Sequence, residues 1–408
     1  MTEKCPPSVL IAHPGTQYAP HLARELESRG MLHRFWTGFA LARESWAASM
    51  VRWLPDRLRR LLEKRFMSLP SAVLRTMPLL DWCARRAARK VGDERAFFDR
   101  NRKFQQALPD RELSAADVVV GYDTSSWLLA RRAKEMDKRF VLDQSIGHPS
   151  AKERIFTELR QRFPRWSTSA PQKAAGMVAT EREEHELADV VVVPSQFVKE
   201  TLAGEGVDER KIRVIPFGTD LELFQPGPSH GQDVSSLAFL FVGSVSARKG
   251  VPVLLEAWRK WNPDHAELWL VGPGTIPAEE QAGLSASVKV LGAKGRAEVA
   301  VLMQKADVFV FPSFFEGLAQ VQIEAQACGL PLIATHESGA TELIGDGRGG
   351  ILVPAGDVNA LAAAMERLAG DSELRETMRR HAIASRARLS WKVYGDHWSE
   401  LLKEMVRC

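Results

Sequence analysis

Residues Ala306–Pro331 read ADVFVFPSFFEGLAQVQIEAQACGLP, and the fold turns on how they are read. Asp307 to Phe311 is a short apolar run, the pattern of a buried strand. Pro312-Ser313 breaks it. A loop carrying Glu316 follows, then a helical pattern from Gly317 to Ala327 that Gly329 and Pro331 close. Glu316 stands at the mouth of this strand-to-helix turn, and Glu324 about two turns further in, at roughly 1.5 Å rise per residue. The amides of Gly317, Leu318 and Ala319 are expected to point out of the helix N-terminus, a favourable place for a phosphate. The stretch suits a nucleotide, with phosphate on amides and hydroxyls on carboxylates. It equally suits a capped helix with a solvated glutamate.

Working outward, 408 residues exceed one ordinary core, so two domains are expected. An apolar fraction of 45% and a charged fraction of 26% are those of a soluble globular chain. The net charge of +4 is modest, but it is unevenly spread. Between Arg43 and Lys103 there are sixteen Lys or Arg against seven Asp or Glu. The four cysteines, Cys5, Cys83, Cys328 and Cys408, are scattered without a Cys-x-x-Cys pair. That argues against a zinc site or disulfide framework and fits a reducing, cytoplasmic compartment. The apolar stretch near the N-terminus is too short for a signal sequence. No run of about 18 apolar residues occurs, so no transmembrane helix is expected.

Val9 to Ala12 reads as a first strand ending at His13-Pro14-Gly15, the entry to a Rossmann-like unit. Without Gly-x-Gly-x-x-Gly, a dinucleotide cofactor is disfavoured. Pro20 to Arg29 reads as a helix. Residues 43–107 form a basic helical region containing WAASMVRWLPDRLRRLLEKRF and LLDWCARRAARK. Arginines alternate with apolar residues at helical spacing. The region reads either as a patch for a membrane surface or anionic acceptor, or as a packed insertion with solvated arginines. Further strands are expected at Asp117–Gly121, Arg139–Asp143, Asp189–Val193 and Lys211–Pro216, with helices at Ser125–Met136 and Glu181–Leu187. The second of these strands delivers His148 at a strand's C-terminal end, where open α/β sheets bind ligands. Pro226 to Ser236 reads as an interdomain linker.

The βα alternation then repeats. Strands are expected at Leu237–Gly243, Glu267–Gly272, Val288–Leu291, Leu332–Thr335 and Ile351–Pro354, and helices at Val251–Trp261 and Glu298–Lys305. Two Rossmann-like sheets imply a cleft between their C-terminal edges. Arg248 and Lys249, between a strand and a helix, would face the phosphate placed at the Gly317 helix. Two fixed cations and helix amides make a diphosphate clamp that stabilises charge on a leaving group. No Asp-x-Asp occurs, so a carboxylate-held metal is not expected.

These segments, in order, resemble the retaining, nucleotide-sugar-dependent family 4 glycosyltransferases of the GT-B fold. FVGSVSARKG resembles the family's phosphate loop, and VLGAKGRAEVAVLMQKADVFVFPSFFEGLAQVQIEAQACGLP its Glu-x7-Glu block. DVVVVPS with Phe197, KIRVIPFGTD and Phe224-Gln225-Pro226 resemble the domain-crossing segment, and SGATELIGDGRGGILVPAGD the part after the block. The resemblance covers roughly 178–395. Before that it rests on His13-Pro14-Gly15 and the surroundings of His148.

The resemblance implies roles. Glu324 would bond the ribose hydroxyls and Glu316 the donor sugar. Lys249 and Arg248, with the amides of Leu318 and Ala319, would hold the diphosphate. Gly15 would let the first domain's backbone approach the phosphates. His148 would align the sugar, and backbone near Gly292 and Ala293 would touch the base. Ser244 stands where many members carry an arginine, and Arg248 would supply that charge. No cofactor or metal is implied, because the nucleotide-sugar (UDP, GDP or ADP) is a substrate. The acceptor would be a saccharide, a lipid-linked sugar or another glycoconjugate, and no nucleic acid is expected. Residues 43–107 would allow peripheral contact at the inner membrane face. Domains are expected at 1–217 and 218–390, with a helix over 391–408 returning to the first. The competing classes are a GT-B-fold nucleotide-sugar epimerase, which would need further carboxylates on the first domain, and a non-catalytic nucleotide-sugar binder.

Overall fold

The computed structural model describes residues 6–15, 18–51, 53–63, 65–166, 175–228, 236–344 and 347–407. In chain order the first strands are β1 (Val9–His13), β2 (Leu32–Thr37), β3 (Leu41–Ala42), β4 (Phe66–Met67), β5 (Leu74–Thr76), β6 (Val118–Tyr122), β7 (Arg139–Asp143), β8 (Val190–Val193) and β9 (Ile212–Val214). Seven of them form one parallel sheet in the order β5-β2-β1-β6-β7-β8-β9, and β3 pairs with β4 alone. The second sheet holds β10 (Leu237–Val242), β11 (Ala266–Val271), β12 (Val288–Gly292), β13 (Val308–Phe311), β14 (Leu332–Thr335) and β15 (Gly350–Val353). Its order is β12-β11-β10-β13-β14-β15, again parallel. Central strands such as Val118–Val120 and Val308–Phe311 are apolar at every position because helices cover both faces, and all these residues are buried.

Strand order reverses between β1 and β6 in one sheet and between β10 and β13 in the other. The loops leaving these four strands therefore splay apart and open a crevice at the carboxyl ends. They carry His13-Pro14-Gly15, Asp123-Thr124, Ser244–Gly250 and Pro312–Ala319. The two crevices face one another. Gly317 lies so close to Ser145 that an added Cβ would sit 1.9 Å from its carbonyl oxygen, and Ser195 Oγ donates to the Gly317 carbonyl.

Several expectations need correction. The helix after β13 spans Gln320–Ala327, with Ala319 as its cap, so it begins three residues later than Gly317. Glu316 N donates to Glu337 O at 2.9 Å and Ala319 N to Ser338 O at 3.4 Å, which draws the segment out alongside the loop after β14. The helix before β8 spans Ala175–Leu187, longer than expected, and Arg296 rather than Glu298 opens the helix before β13. Strand β2 was not foreseen, nor were the short strands within 43–107. Of the expected linker, residues 229–235 lie outside the described residues. Its start is already fastened to the second sheet's side: Gln304 Nε2 donates to Gln225 O and Arg379 Nη2 to Gly227 O. The crossing lies earlier. Thr219 N donates to Leu389 O at 2.7 Å, and Thr219 bridges Ser390, so outgoing and returning strands of chain cross side by side.

The returning helix, Trp391–Arg407, packs on the Ala19–Ser28 helix of the first sheet. Arg29 Nη2 reaches Asp396 Oδ1 at 2.6 Å and Lys392 O at 2.9 Å. Trp398 and Leu402 are buried there.

Candidate functional site

Between the two sets of loops lies a cleft of about 720 Å³, lined from both sides. Asp123, Thr124, Ser145 and Ile146 come from the first sheet. Arg296, Glu316, Gly317, Leu318, Gln320 and Glu324 come from the second. Tyr18, His21, Phe217 and Trp391 close the end where the chain crosses.

At one end the β10 and β13 loops interlock. The Arg248 carbonyl accepts from Phe314 N at 2.9 Å and from Ser313 Oγ at 3.0 Å. Gly250 holds a left-handed φ of 73° at the helix cap, and its back lies against the Pro312 carbonyl. This lock brings both cations onto one carboxylate oxygen. Lys249 Nζ is 2.8 Å from Glu316 Oε1, Arg248 Nη1 bonds the same oxygen, and Ser313 Oγ, sharing its one proton between this oxygen and the Arg248 carbonyl, is 2.9 Å from it. Arg248 Nη1 also donates to Phe315 O at 2.9 Å. Lys249 lies 4.8 Å over the Phe311 ring, and burial pushes its ammonium pKa down while Glu316 opposes the shift. The amides of Gly317 and Leu318 have no hydrogen-bond partner among the described residues. They stand beside this cluster, ahead of the helix that begins at Gln320.

At the other end Glu324, only 6% exposed, bonds Arg296 Nη2 at 2.9 Å. Burial raises its pKa and Arg296 counters. Arg296 lies over Phe224 at 5.2 Å. His21 stacks on Trp391 with centroids 3.9 Å apart and planes within 9°. Tyr18 donates to Asp143 Oδ1 at 3.0 Å.

The β6 loop is held by Glu184. Its buried carboxylate accepts from Thr124 N at 2.8 Å and Ser126 N at 2.7 Å, and burial pushes its pKa up to about 8. Asp123 Oδ1 accepts from Ser145 N and Oγ, both at 3.1 Å.

Of the residues singled out from sequence, the structure brings Arg248, Lys249, Glu316, Gly317, Leu318, Ala319 and Glu324 together. Gly15 follows β1 in the first lobe, outside the cleft lining, its amide donating to His13 Nδ1 at 2.9 Å. Ser244 follows β10, its hydroxyl turned to Ser246 Oγ. His148 is not brought to the cleft. It caps the Pro149–Arg162 helix, Nδ1 accepting from Ser150 N at 3.2 Å, with Glu205 at 3.9 Å. Gly292 and Ala293 sit at the end of β12, outside the cleft lining, and Ala293 is exposed. Sequence reading missed Tyr18, His21, Asp123, Arg296 and Trp391. Only Trp391 had a signal, its place at the crossing.

Comparison with known proteins now bears on this geometry. A model described as a glycosyl transferase 4-like domain matches residues 15–218, half of the chain, and one described as glycosyl transferases group 1 matches 236–371. The chain belongs to the family 4 glycosyltransferases. Among relatives, the D-inositol 3-phosphate glycosyltransferase of Corynebacterium jeikeium is 29% identical over 242 residues, covering 53% of this chain and 58% of that protein. The chain thus spans little more than half of this relative. Among solved structures, sucrose-phosphate synthase of Thermosynechococcus elongatus superposes with a TM-score of 0.65 at 20% identity, covering 98% and 99% of the two chains. Anabaena HepE in complex with UDP and glucose gives 0.63 at 18% identity, covering 97% and 99%. The chain therefore has the GT-B fold, two Rossmann-like sheets facing across a cleft.

Two histidines, buried His13 and half-buried His21, are expected to make the chain's stability pH-dependent. Burial lowers the pKa of both His13 and His21 to about 4. A folded value below the unfolded one, near 6.5, means the unfolded chain takes up protons first. Their contribution is therefore present above pH 6.5 and lost as pH falls toward 4. Urea midpoints should drop across that window, and His21→Gln should flatten the drop. An unchanged slope in His21→Gln would assign it elsewhere.

Proposed function

We propose that the enzyme transfers a sugar, with retention and without a metal, from a nucleoside diphosphate sugar to a saccharide or lipid-linked acceptor. One observation carries this reading: Arg248 and Lys249 converge on Glu316 in a cleft whose other end holds buried Glu324. The cations and the free amides of Gly317 and Leu318 suit a diphosphate, Glu316 the donor sugar, and Glu324 the ribose. A donor laid along this line would reach from one end of the cleft to the other. UDP is the first nucleotide to try, since it occupies HepE. Domains of 1–217 and 218–390, with 391–408 returning, describe the two lobes. Residues 43–107 would set the first lobe against a membrane carrying the acceptor.

In the step, the acceptor oxygen bonds to the anomeric carbon as the bond from that carbon to the phosphate oxygen breaks on the same face. The acceptor's proton passes to the departing phosphate oxygen. Nucleoside diphosphate leaves, its charge met by fixed Arg248 and Lys249. No further base is then needed, and burying the site behind Trp391 and Tyr18 would exclude water.

Asp123 favours a second reading. It is the first-lobe carboxylate that an epimerase, or a transferase using a general base, would require. Transfer assays with chelator and NMR of the product's anomeric proton decide between them. Retention, insensitivity to EDTA and a loss of less than tenfold in Asp123→Asn are expected. Inversion, or a loss near the 10²–10⁴-fold typical of a general base, would replace the mechanism.

A further inference from the structure

We propose that the 43–107 region docks on an anionic bilayer, through an apolar groove rimmed by arginines. The inference rests on the glycosyltransferase reading only in supplying that bilayer with a lipid-linked acceptor.

Exposure singles out the region. Ten large hydrophobics are exposed among the described residues, and five of them fall here: Met50 59%, Trp53 90%, Leu58 50%, Leu79 75% and Trp82 60%. The other five are scattered aliphatics between Val290 and Val406. The Pro78–Val91 helix shows the inversion directly. Its inner face carries buried Ala84, while Leu79, Trp82, Cys83 and Arg86 follow one another at i, i+3, i+4 and i+7 on the outside. A surface helix ordinarily presents polar residues there. Leu79 and Trp82 join Phe39, Arg65 and Arg85 around a groove of about 490 Å³.

Charge chooses the occupant. Arg86 lies over Trp82 at 5.7 Å and Arg65 over Phe39 at 6.0 Å. Arg57, Arg85, Arg86 and Arg89 are exposed. Aromatic bodies with cationic tips fit the boundary between headgroups and acyl chains. A second copy would set sixteen cations against sixteen, with only seven acids on each side, and be repelled.

The face is also coupled to the cleft. Asp81, on the groove, pairs with Arg100 at 3.1 Å and abuts Gly38, which itself lies against the Pro14 carbonyl. Asn101, beside Arg100, donates to the Thr124 carbonyl at 2.9 Å, and Thr124 lines the cleft. A bilayer held at the groove would thus lie on the first lobe's side of the site.

The test is co-sedimentation of the full chain with vesicles of phosphatidylcholine, alone or mixed with phosphatidylglycerol, at low and high salt. Binding should require phosphatidylglycerol and weaken with salt. Arg85→Ala/Arg86→Ala should lose about fivefold per arginine. Leu79→Ser/Trp82→Ser should lose at least about tenfold, since each buried apolar group adds to interfacial binding. Nucleotide-induced stabilisation should be unchanged in both variants. Equal binding to neutral vesicles would overturn the proposal, as would wild-type binding by Leu79→Ser/Trp82→Ser. So would absence of binding by protein that UDP still stabilises. A concentration-dependent dimer abolished by Leu79→Ser/Trp82→Ser would assign the face to self-association instead. Failure of nucleotide stabilisation alone counts against the donor site, not the docking face.

Discussion

Lys249→Ala is expected to lower the rate of transfer by about 10²–10³-fold, the cost of removing one preorganised charge aimed at a developing anion. The ammonium is half-buried, 2.8 Å from Glu316 and backed by the Phe311 ring, so little can rearrange to replace it. Glu316 keeps Arg248 as a partner, and the fold should survive, with an unchanged far-ultraviolet spectrum. Glu316→Gln separates the roles further. In the ligand-free enzyme Glu316 is the anion between two cations. Neutralising it leaves those cations uncompensated, which destabilises the empty site. A diphosphate then supplies the missing charge. Glu316→Gln should therefore melt earlier than wild type without ligand, bind nucleoside diphosphate at least as tightly by calorimetry, and still lose transfer through the sugar contact. Equal loss of nucleotide affinity in Glu316→Gln and Lys249→Ala would contradict this division. Wild-type turnover in either variant would remove both residues from the site.

Gly250→Ala is the second large effect. A Cβ at this residue would stand 2.0 Å from the Pro312 carbonyl oxygen, on backbone with φ of 73°. Left-handed backbone costs a residue with a Cβ roughly 1–2 kcal/mol, and overpacking against rigid backbone about 1–3 kcal/mol more. A loss of about 2–5 kcal/mol in urea unfolding is expected on that basis. The strain would be relieved by parting the β10 and β13 loops, and the bonds from Phe314 and Ser313 to the Arg248 carbonyl are what it would break. Transfer should fall even where the protein remains folded. Gly283→Ala serves as the control, since the nearest atom to its Cβ would be 3.8 Å away. A Gly250→Ala protein as stable as wild type would show that the two loops are not locked.

The strands were legible where burial on both faces made them uniformly apolar, as in Val190–Val193 and Val308–Phe311. Strand β2, LHRFWT, hid because His33 and Arg34 interrupt the run. Their partner is Glu112, 3.2 Å from His33 and 3.7 Å from Arg34, a contact no local pattern discloses. The Glu-x7-Glu spacing exposed both carboxylates, because a strand, a turn and a helix are local. The helix starts later than its pattern suggests because the carbonyls of Glu337 and Ser338, some twenty residues on, accept from the Glu316 and Ala319 amides and hold residues 316–319 out of it. Arg296 on Glu324 and His21 on Trp391 were invisible for the same reason: each pair is distant in sequence, 28 residues apart in the first case and joined by the returning helix in the second. His148 was read from its place after a strand, and helix capping claimed its ring.

The most direct test of the donor site is thermal denaturation of wild type and Lys249→Ala with UDP, GDP and ADP in the presence of EDTA. One nucleotide should stabilise wild type, by about 2.7 kcal/mol at 100 times its dissociation constant, and Lys249→Ala should need far more of it for the same shift. No stabilisation of wild type by any of the three, or an undiminished shift in Lys249→Ala, would contradict the assignment of the cleft.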